Sequence, residues 1–261
     1  MQRPYSCLAQ NSLLLHNAPM QNQPQSNVDA VHAVVIISAG GEWRVVREVF
    51  PECRVETSPM GDWLDMDVPV EGRSCRVLFF HGGWGKIAAA ASAQYVIDRW
   101  TPELILNFGT CGGFEGEIER GQLILAERTL VYDIIEQMGD RDAAIEYFST
   151  DLAMTFLVTP YPQDVRRCLL ASADRDIVVE DIPMLKARYG AVAADWESGA
   201  IAWVAARNSV RCLILRGVSD LVGADGGEAY VGDMGVFQRG AADVMGRLLE
   251  NLAGWLSCAG V

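Results

Sequence analysis

Three carboxylates stand where apolar, strand-like runs give way to helices or turns. They are Glu42 in "SAGGEWR" (38–44), Glu197 in "AADWESGAIA" (193–202) and Asp220 in "RGVSDLVG" (216–223). Carboxylates so placed can orient a water, hold vicinal hydroxyls or, once desolvated, keep a proton and act as general acid. Each also has a plainer reading. Glu42 in a first helical turn, and Asp195 with Glu197 around Trp196 at a helix start, would complement the macrodipole. Asp220 behind Ser219 would serve as a cap or a solvated turn. "NFGTCGG" (107–113) sets the Thr110 hydroxyl among glycines, Gly112 included. Glycines let a backbone approach a sugar or an anion closely, or simply make a turn. "HGGWGK" (81–86) is not a P-loop, because Phe80 and Ile87 stand where Gly and Ser/Thr are required. It remains a glycine turn feeding a helix, whose amides could face a ligand oxygen.

The elements that must position these residues alternate along the chain. Strands are expected over 33–38, 103–109, 121–134, 166–174, 191–195 and 211–220, with 63–70 and 75–81 as a pair. Helices are expected over 42–50, 85–100, 181–190, 198–208 and, closing the chain, 235–256. This alternation predicts an α/β fold with a mostly parallel sheet in one domain, 28–261. The Gln-, Asn- and Pro-rich residues 1–27 read as a flexible tail. In such folds ligands bind beyond the carboxyl ends of strands. Six strand ends here carry glycines, hydroxyls or acids, which predicts one shared pocket.

Other chemistries are disfavoured. The three histidines (His16, His32, His81) form no HExxH and no zinc spacing, so no metal or organic cofactor is expected. Seven cysteines without a CxxC pair fit reduced thiols in a cytoplasmic protein. A net charge of -13 argues against nucleic acid or an anionic membrane as partner. No apolar run reaches the roughly 18 residues of a membrane span.

"GWGKIAAAASA", "NFGTCGG", "ADWESGAIA" and "RGVSD", in that order and spacing, resemble the nucleoside phosphorylase/nucleosidase superfamily, especially its methylthioadenosine/S-adenosylhomocysteine nucleosidase branch. The resemblance spans roughly residues 33 to 258. It implies a three-layer α/β/α fold with a twisted mixed, mostly parallel sheet. It also implies a homodimer in which the neighbouring subunit helps to close the pocket, and a small-molecule nucleoside as substrate. By the same resemblance Glu197 binds the ribose 2′- and 3′-hydroxyls, Asp220 faces purine N7, and Glu42 holds the attacking water. Thr110 takes the place of a serine near the sugar, with Gly112 and Ser219 in the same motifs. Trp196 stands where the family often has Met. Asp176, beside Arg175 and followed by Ile177, stands where an aromatic or apolar residue is expected near the base. Arg216 fits the family motif without an assigned role, and Asp195 reads as a structural acid.

Cleaving an N-glycosidic bond puts positive charge on the sugar and negative charge on the departing base. A protonated Asp220 relieves the second, and an ionised Glu197 complements the first. Carboxylates on opposite sides of the scissile bond follow the logic of inverting glycosidases. The competing readings are a phosphorylase, with Arg44 and Arg47 at the anion, and a non-catalytic nucleoside-binding protein.

Overall fold

The computed structural model describes residues 30–229 and 234–261; the expected tail lies outside the described residues. In chain order the elements are β1 (Ala33–Ile37), α1 (Gly40–Val49), β2 (Glu56–Ser58), β3 (Gly61–Val70), β4 (Arg73–His81), α2 (Lys86–Trp100), β5 (Leu104–Phe114), β6 (Leu123–Val131), α3 (Arg141–Tyr147), β7 (Thr150–Asp151), β8 (Arg166–Ser172), α4 (Ile182–Tyr189), β9 (Ala193–Asp195), α5 (Ser198–Arg207), β10 (Arg211–Gly223), β11 (Gly226–Gly227), α6 (Met234–Glu250) and α7 (Leu252–Cys258).

β1 explains the continuous apolar run "AVVII". It pairs in parallel with β4 on one side and β5 on the other, and every residue is buried. Successive side chains point to opposite faces. Ala33, Val35 and Ile37 join one core, with Val46 of α1, Leu248 of α6 and Trp255 of α7. Val34 and Ile36 join a second core, with Ala93 of α2 and Ile201 of α5. The alanines of α2 allow the close packing that their size suggests.

The pairing is mixed. β1–β4, β1–β5, β5–β10, β6–β8 and β8–β9 are parallel. β2–β3, β3–β4, β5–β9, β6–β7, β6–β10 and β10–β11 are antiparallel. The two kinds are close to balanced, against the expectation of a mostly parallel sheet. The antiparallel pairs come mainly from the β2–β3–β4 run and from β6, β7 and β11; β5, long enough to pair with three strands, adds one through β9. Through β10, β6, β8 and β9 the sheet returns to β5 and closes in barrel-like fashion.

Other elements depart from expectation for local reasons. "NFGTCGG" continues β5 instead of turning. Its glycines serve close approach: a Cβ on Gly109 would lie 2.1 Å from Arg216 Nη1, and one on Gly112 2.6 Å from Ile177 Cδ1. The closing helix divides at Asn251, whose side-chain amide donates to the Arg247 carbonyl (2.9 Å). α3, not foreseen, starts at Asp140, whose carboxylate accepts from the amides of Asp142 and Ala143.

Candidate active site

β5 pairs with β1 only as far as Asn107 and takes up β9 only from Gly112. Between those points this edge of β5 has no strand partner among the described residues, while the other edge pairs with β10. α1 leaves the end of β1 toward the first core, and α5 leaves the end of β9 toward the second. Diverging connections of this kind mark a topological switch point, where α/β sheets form their ligand crevices. A cavity of about 560 Å³ occupies it, a size suited to a small organic ligand. All six strand ends singled out in the sequence reach it, and Glu42, Thr110, Gly112, Asp176, Ile177, Trp196, Glu197, Ser219 and Asp220 all line it.

Glu42 fills the gap in the ladder. It is the third residue of α1 and is buried. Its Oε1 accepts from the Thr110 amide (2.7 Å) and the Thr110 hydroxyl (2.8 Å), and its Oε2 from the Ala39 amide (3.2 Å). The Thr110 amide is the strand donor that neither β1 nor β9 satisfies. Thr110 therefore directs both its donors at Glu42 while lining the cavity.

In "ADWES" the two acids divide their work. Asp195 accepts from the Ser172 hydroxyl (2.6 Å), from the amide and hydroxyl of Ser198, and from Arg216 Nε (3.0 Å). Both its oxygens are engaged, as a structural acid requires. Glu197 turns instead into the cavity, accepting from the Gly85 amide (2.9 Å) and lying 3.5 Å from Arg216 Nη2. Trp196 meets Trp84 with ring centroids 5.4 Å apart and planes at 47°.

Asp220 is aimed by a β-bulge. Val218 pairs with Cys111 and Asp220 with Gly112, which leaves Ser219 as the extra residue. The Ser219 hydroxyl donates to Asp220 Oδ1 (2.6 Å). Burial raises the Asp220 pKa above its ordinary aspartate value; the Ser219 hydroxyl opposes this and nearby Glu228 adds to it. Glu197 is raised to about 7, first by burial, with Asp195 and Glu42 adding and Arg216 and the Gly85 amide opposing. Burial thus draws Glu197 toward its neutral form, whereas the ionised form is the one expected from sequence.

Arg216 is the residue whose weight the sequence reading missed. It is fully buried in β10, 3.0 Å from Asp195, 3.5 Å from Glu197 and 4.0 Å from Glu42. It also donates to Asn107 Oδ1 (2.9 Å) and Ser198 Oγ (3.0 Å). A charge inside the apolar run "RCLILRG" was the available signal, because buried cations need partners. Trp84, Arg175 and Phe237, also on the cavity wall, carried no comparable mark. Asp176 lies at the exposed rim, while Arg175 beside it is paired with Asp181. Arg44 and Arg47 are on the exposed side of α1.

A profile of the phosphorylase superfamily matches residues 70–253, and the chain belongs to that superfamily. Among curated relatives, a 5′-methylthioadenosine/S-adenosylhomocysteine nucleosidase of Thermotoga maritima is 29% identical over 162 residues, covering 62% of this chain and 73% of the relative. One of the same name from Tolumonas auensis is 23% identical over 191 residues, covering 67% and 82%. The fold is similar to the Streptococcus pneumoniae nucleosidase in complex with 8-aminoadenine (TM-score 0.68, 16% identity, 87% of this chain and 100% of that one). It is also similar to the Neisseria meningitidis nucleosidase with methylthio-immucillin-A (TM-score 0.67, 16% identity, 88% and 99%).

Proposed function

We propose that this protein hydrolyses the N-glycosidic bond of a purine nucleoside such as 5′-methylthioadenosine or S-adenosylhomocysteine. The observation that carries the reading is a division of labour around one cavity. Glu42 is fixed by three donors, while Asp220 is desolvated beside a hydroxyl. In this mechanism Asp220, whose pKa burial raises, gives its proton to N7 as the C–N bond breaks. Glu42, held through Oε1 by Thr110, orients water and takes its proton. Glu197 accepts from the 2′- and 3′-hydroxyls, and those two donors favour its ionised form against the effect of burial. Its charge then faces the cationic sugar. Trp196 walls the sugar, with Gly112 and Ile177 beside the base and Asp176 at the rim. The names of the curated relatives support the same substrate class.

Water is favoured over phosphate as nucleophile. Arg216 already serves Asp195, Glu197 and Glu42, and Arg175 serves Asp181. Among the described residues of the cavity wall, an anion at Glu42 would meet a carboxylate and no guanidinium without a carboxylate partner. Assaying base release from 5′-methylthioadenosine with and without phosphate checks this: free sugar in both arms supports hydrolysis, and a sugar 1-phosphate refutes it.

The same reading takes residues 28–261 as one domain in three α/β/α layers, parallel through its β4–β1–β5–β10 centre, in a cytoplasmic homodimer. Exposed Trp84, Ile87 and Ile135, on segments joined by the Lys86–Asp133 ion pair beside the cavity, supply an apolar surface for the second copy. Light scattering on the eluting protein checks the dimer: twice the chain mass is expected, and a monomer at micromolar concentration contradicts it. Among the described residues no helix is long and apolar enough to cross a membrane.

A further inference from the structure

The turn "HGGWGK" is anchored by a cluster that the reaction itself does not use. α2 starts at Lys86 after Gly85, and no side chain of the turn caps it. Carboxylates from distant loops take the free amides instead. The Gly85 amide donates to Glu197 Oε1 (2.9 Å), and the Lys86 amide to Asp174 Oδ1 (2.6 Å). Gly85 has φ +87°, and a Cβ there would lie 3.2 Å from Asp174 Oδ1. Glycine is thus required by conformation, and a Cβ would also crowd the Asp174 carboxylate.

A lysine at a helix N-terminus opposes the macrodipole. Here Lys86 Nζ is paired with Asp133, beyond the end of β6, and lies 3.9 Å from Asp174, beyond the end of β8. The Asp174 amide in turn donates to Asp133 Oδ2 (2.9 Å). Lys86 and Asp133 keep only 20% and 18% of their side-chain exposure, so the pair is screened less than a surface ion pair. One cation thereby ties the start of α2 to two strand ends, and the amide just before it reaches Glu197.

We propose that Lys86, gripped by Asp133 and Asp174, is a positioning residue that keeps the Gly85 amide on Glu197. The inference rests on the reading of Glu197 as the sugar-diol ligand. Around that carboxylate stand Arg216 from β10, Asp195 from β9, Glu42 from α1 and the Gly85 amide; of these, only the amide depends on Lys86. Loosening the cluster withdraws a donor from the charged form and leaves the other neighbours in place.

The test compares wild type with Lys86→Met, Asp133→Asn and Lys86→Arg. Glu197 is followed by carboxyl-carbon NMR titration, with Glu197→Gln to assign its signal, and kcat and KM are measured for release of adenine from 5′-methylthioadenosine. Lys86→Met and Asp133→Asn are expected to move the Glu197 midpoint upward by on the order of 0.5 pH unit. They should raise KM at neutral pH about threefold with less effect on kcat, and Lys86→Arg should restore both, because a charge is what the cluster needs. If folded Lys86→Met or Asp133→Asn leaves midpoint and KM unchanged while Glu197→Gln raises KM, the inference is wrong and the reading of Glu197 stands. If Glu197→Gln itself leaves KM unchanged, the reading of Glu197 fails. A misfolded Lys86→Met passes the decision to Asp133→Asn, which keeps size and removes charge.

Discussion

Thr110 donates both its amide and its hydroxyl to the same oxygen of Glu42, at 2.7 and 2.8 Å, across the gap that β1 and β9 leave along β5. The amide would otherwise be a buried strand donor without a partner, a costly state. A break in the sheet is thereby turned into a fixed orientation for a carboxylate. Replacing Thr110 by Val keeps the amide and removes the hydroxyl. A hydrogen bond to a charged group contributes about 1.5–3 kcal/mol, so kcat should fall by about one to two orders of magnitude. Thr110→Ser should stay near wild type; steady-state kinetics of the two variants checks this.

Arg216 is the electrostatic centre of the site. Its removal would strand the carboxylates of Asp195, Glu197 and Glu42 in a buried environment. Arg216→Met should lower stability by about 3–5 kcal/mol, and Arg216→Lys should recover only part, since an ammonium cannot reproduce the planar fork. Urea unfolding reads both values.

On the proposed mechanism, Asp220 should set the alkaline limb of activity. Its pKa is raised by burial, so it holds its proton to a higher pH than an exposed aspartate. As pH rises through that value the acid is lost, and kcat/KM should fall. Asp220→Asn should lose about 10²–10⁴-fold in kcat and remove this limb from the profile.

Glu197 leaves a mark on folding that needs no substrate. Its folded-state pKa of about 7 lies above the ordinary 4.5 of the unfolded chain. The folded state binds this proton more tightly, so the associated stability is fully present below pH 4.5 and is lost as pH rises through 7. Between pH 4 and 8 the stability of wild type relative to Glu197→Gln should therefore fall by about 3 kcal/mol. A difference that stays constant with pH would show that Glu197 ionises normally.

Much of the site was legible because strand ends carry it. Runs such as "AVVIIS" and "RCLILRGVSD" fix where strands stop, and chemistry gathers at those stops. What was not legible depended on contacts distant in sequence. The glycines of "NFGTCGG" look like a turn, but Gly109 clears the way for Arg216 inside a continuing strand. The bulge at Ser219 that aims Asp220 arises from register with β5, and no local pattern encodes it. Sheet closure likewise follows from β5 pairing with β10 along one edge and with β9 at the far end of the other. In "AADWESGAIA" the spacing leaves both acids equivalent. Only Ser172, Ser198 and Arg216, arriving from elsewhere, make Asp195 structural and free Glu197 for the cavity.

The most direct test of the whole account is base release from 5′-methylthioadenosine in phosphate-free buffer by wild type and by Asp220→Asn. Free adenine and free sugar are expected from wild type, unchanged by added phosphate, with a loss of about 10²-fold or more in the variant. No base release from this or any other purine nucleoside by the folded wild type, or equal release by both proteins, would contradict it.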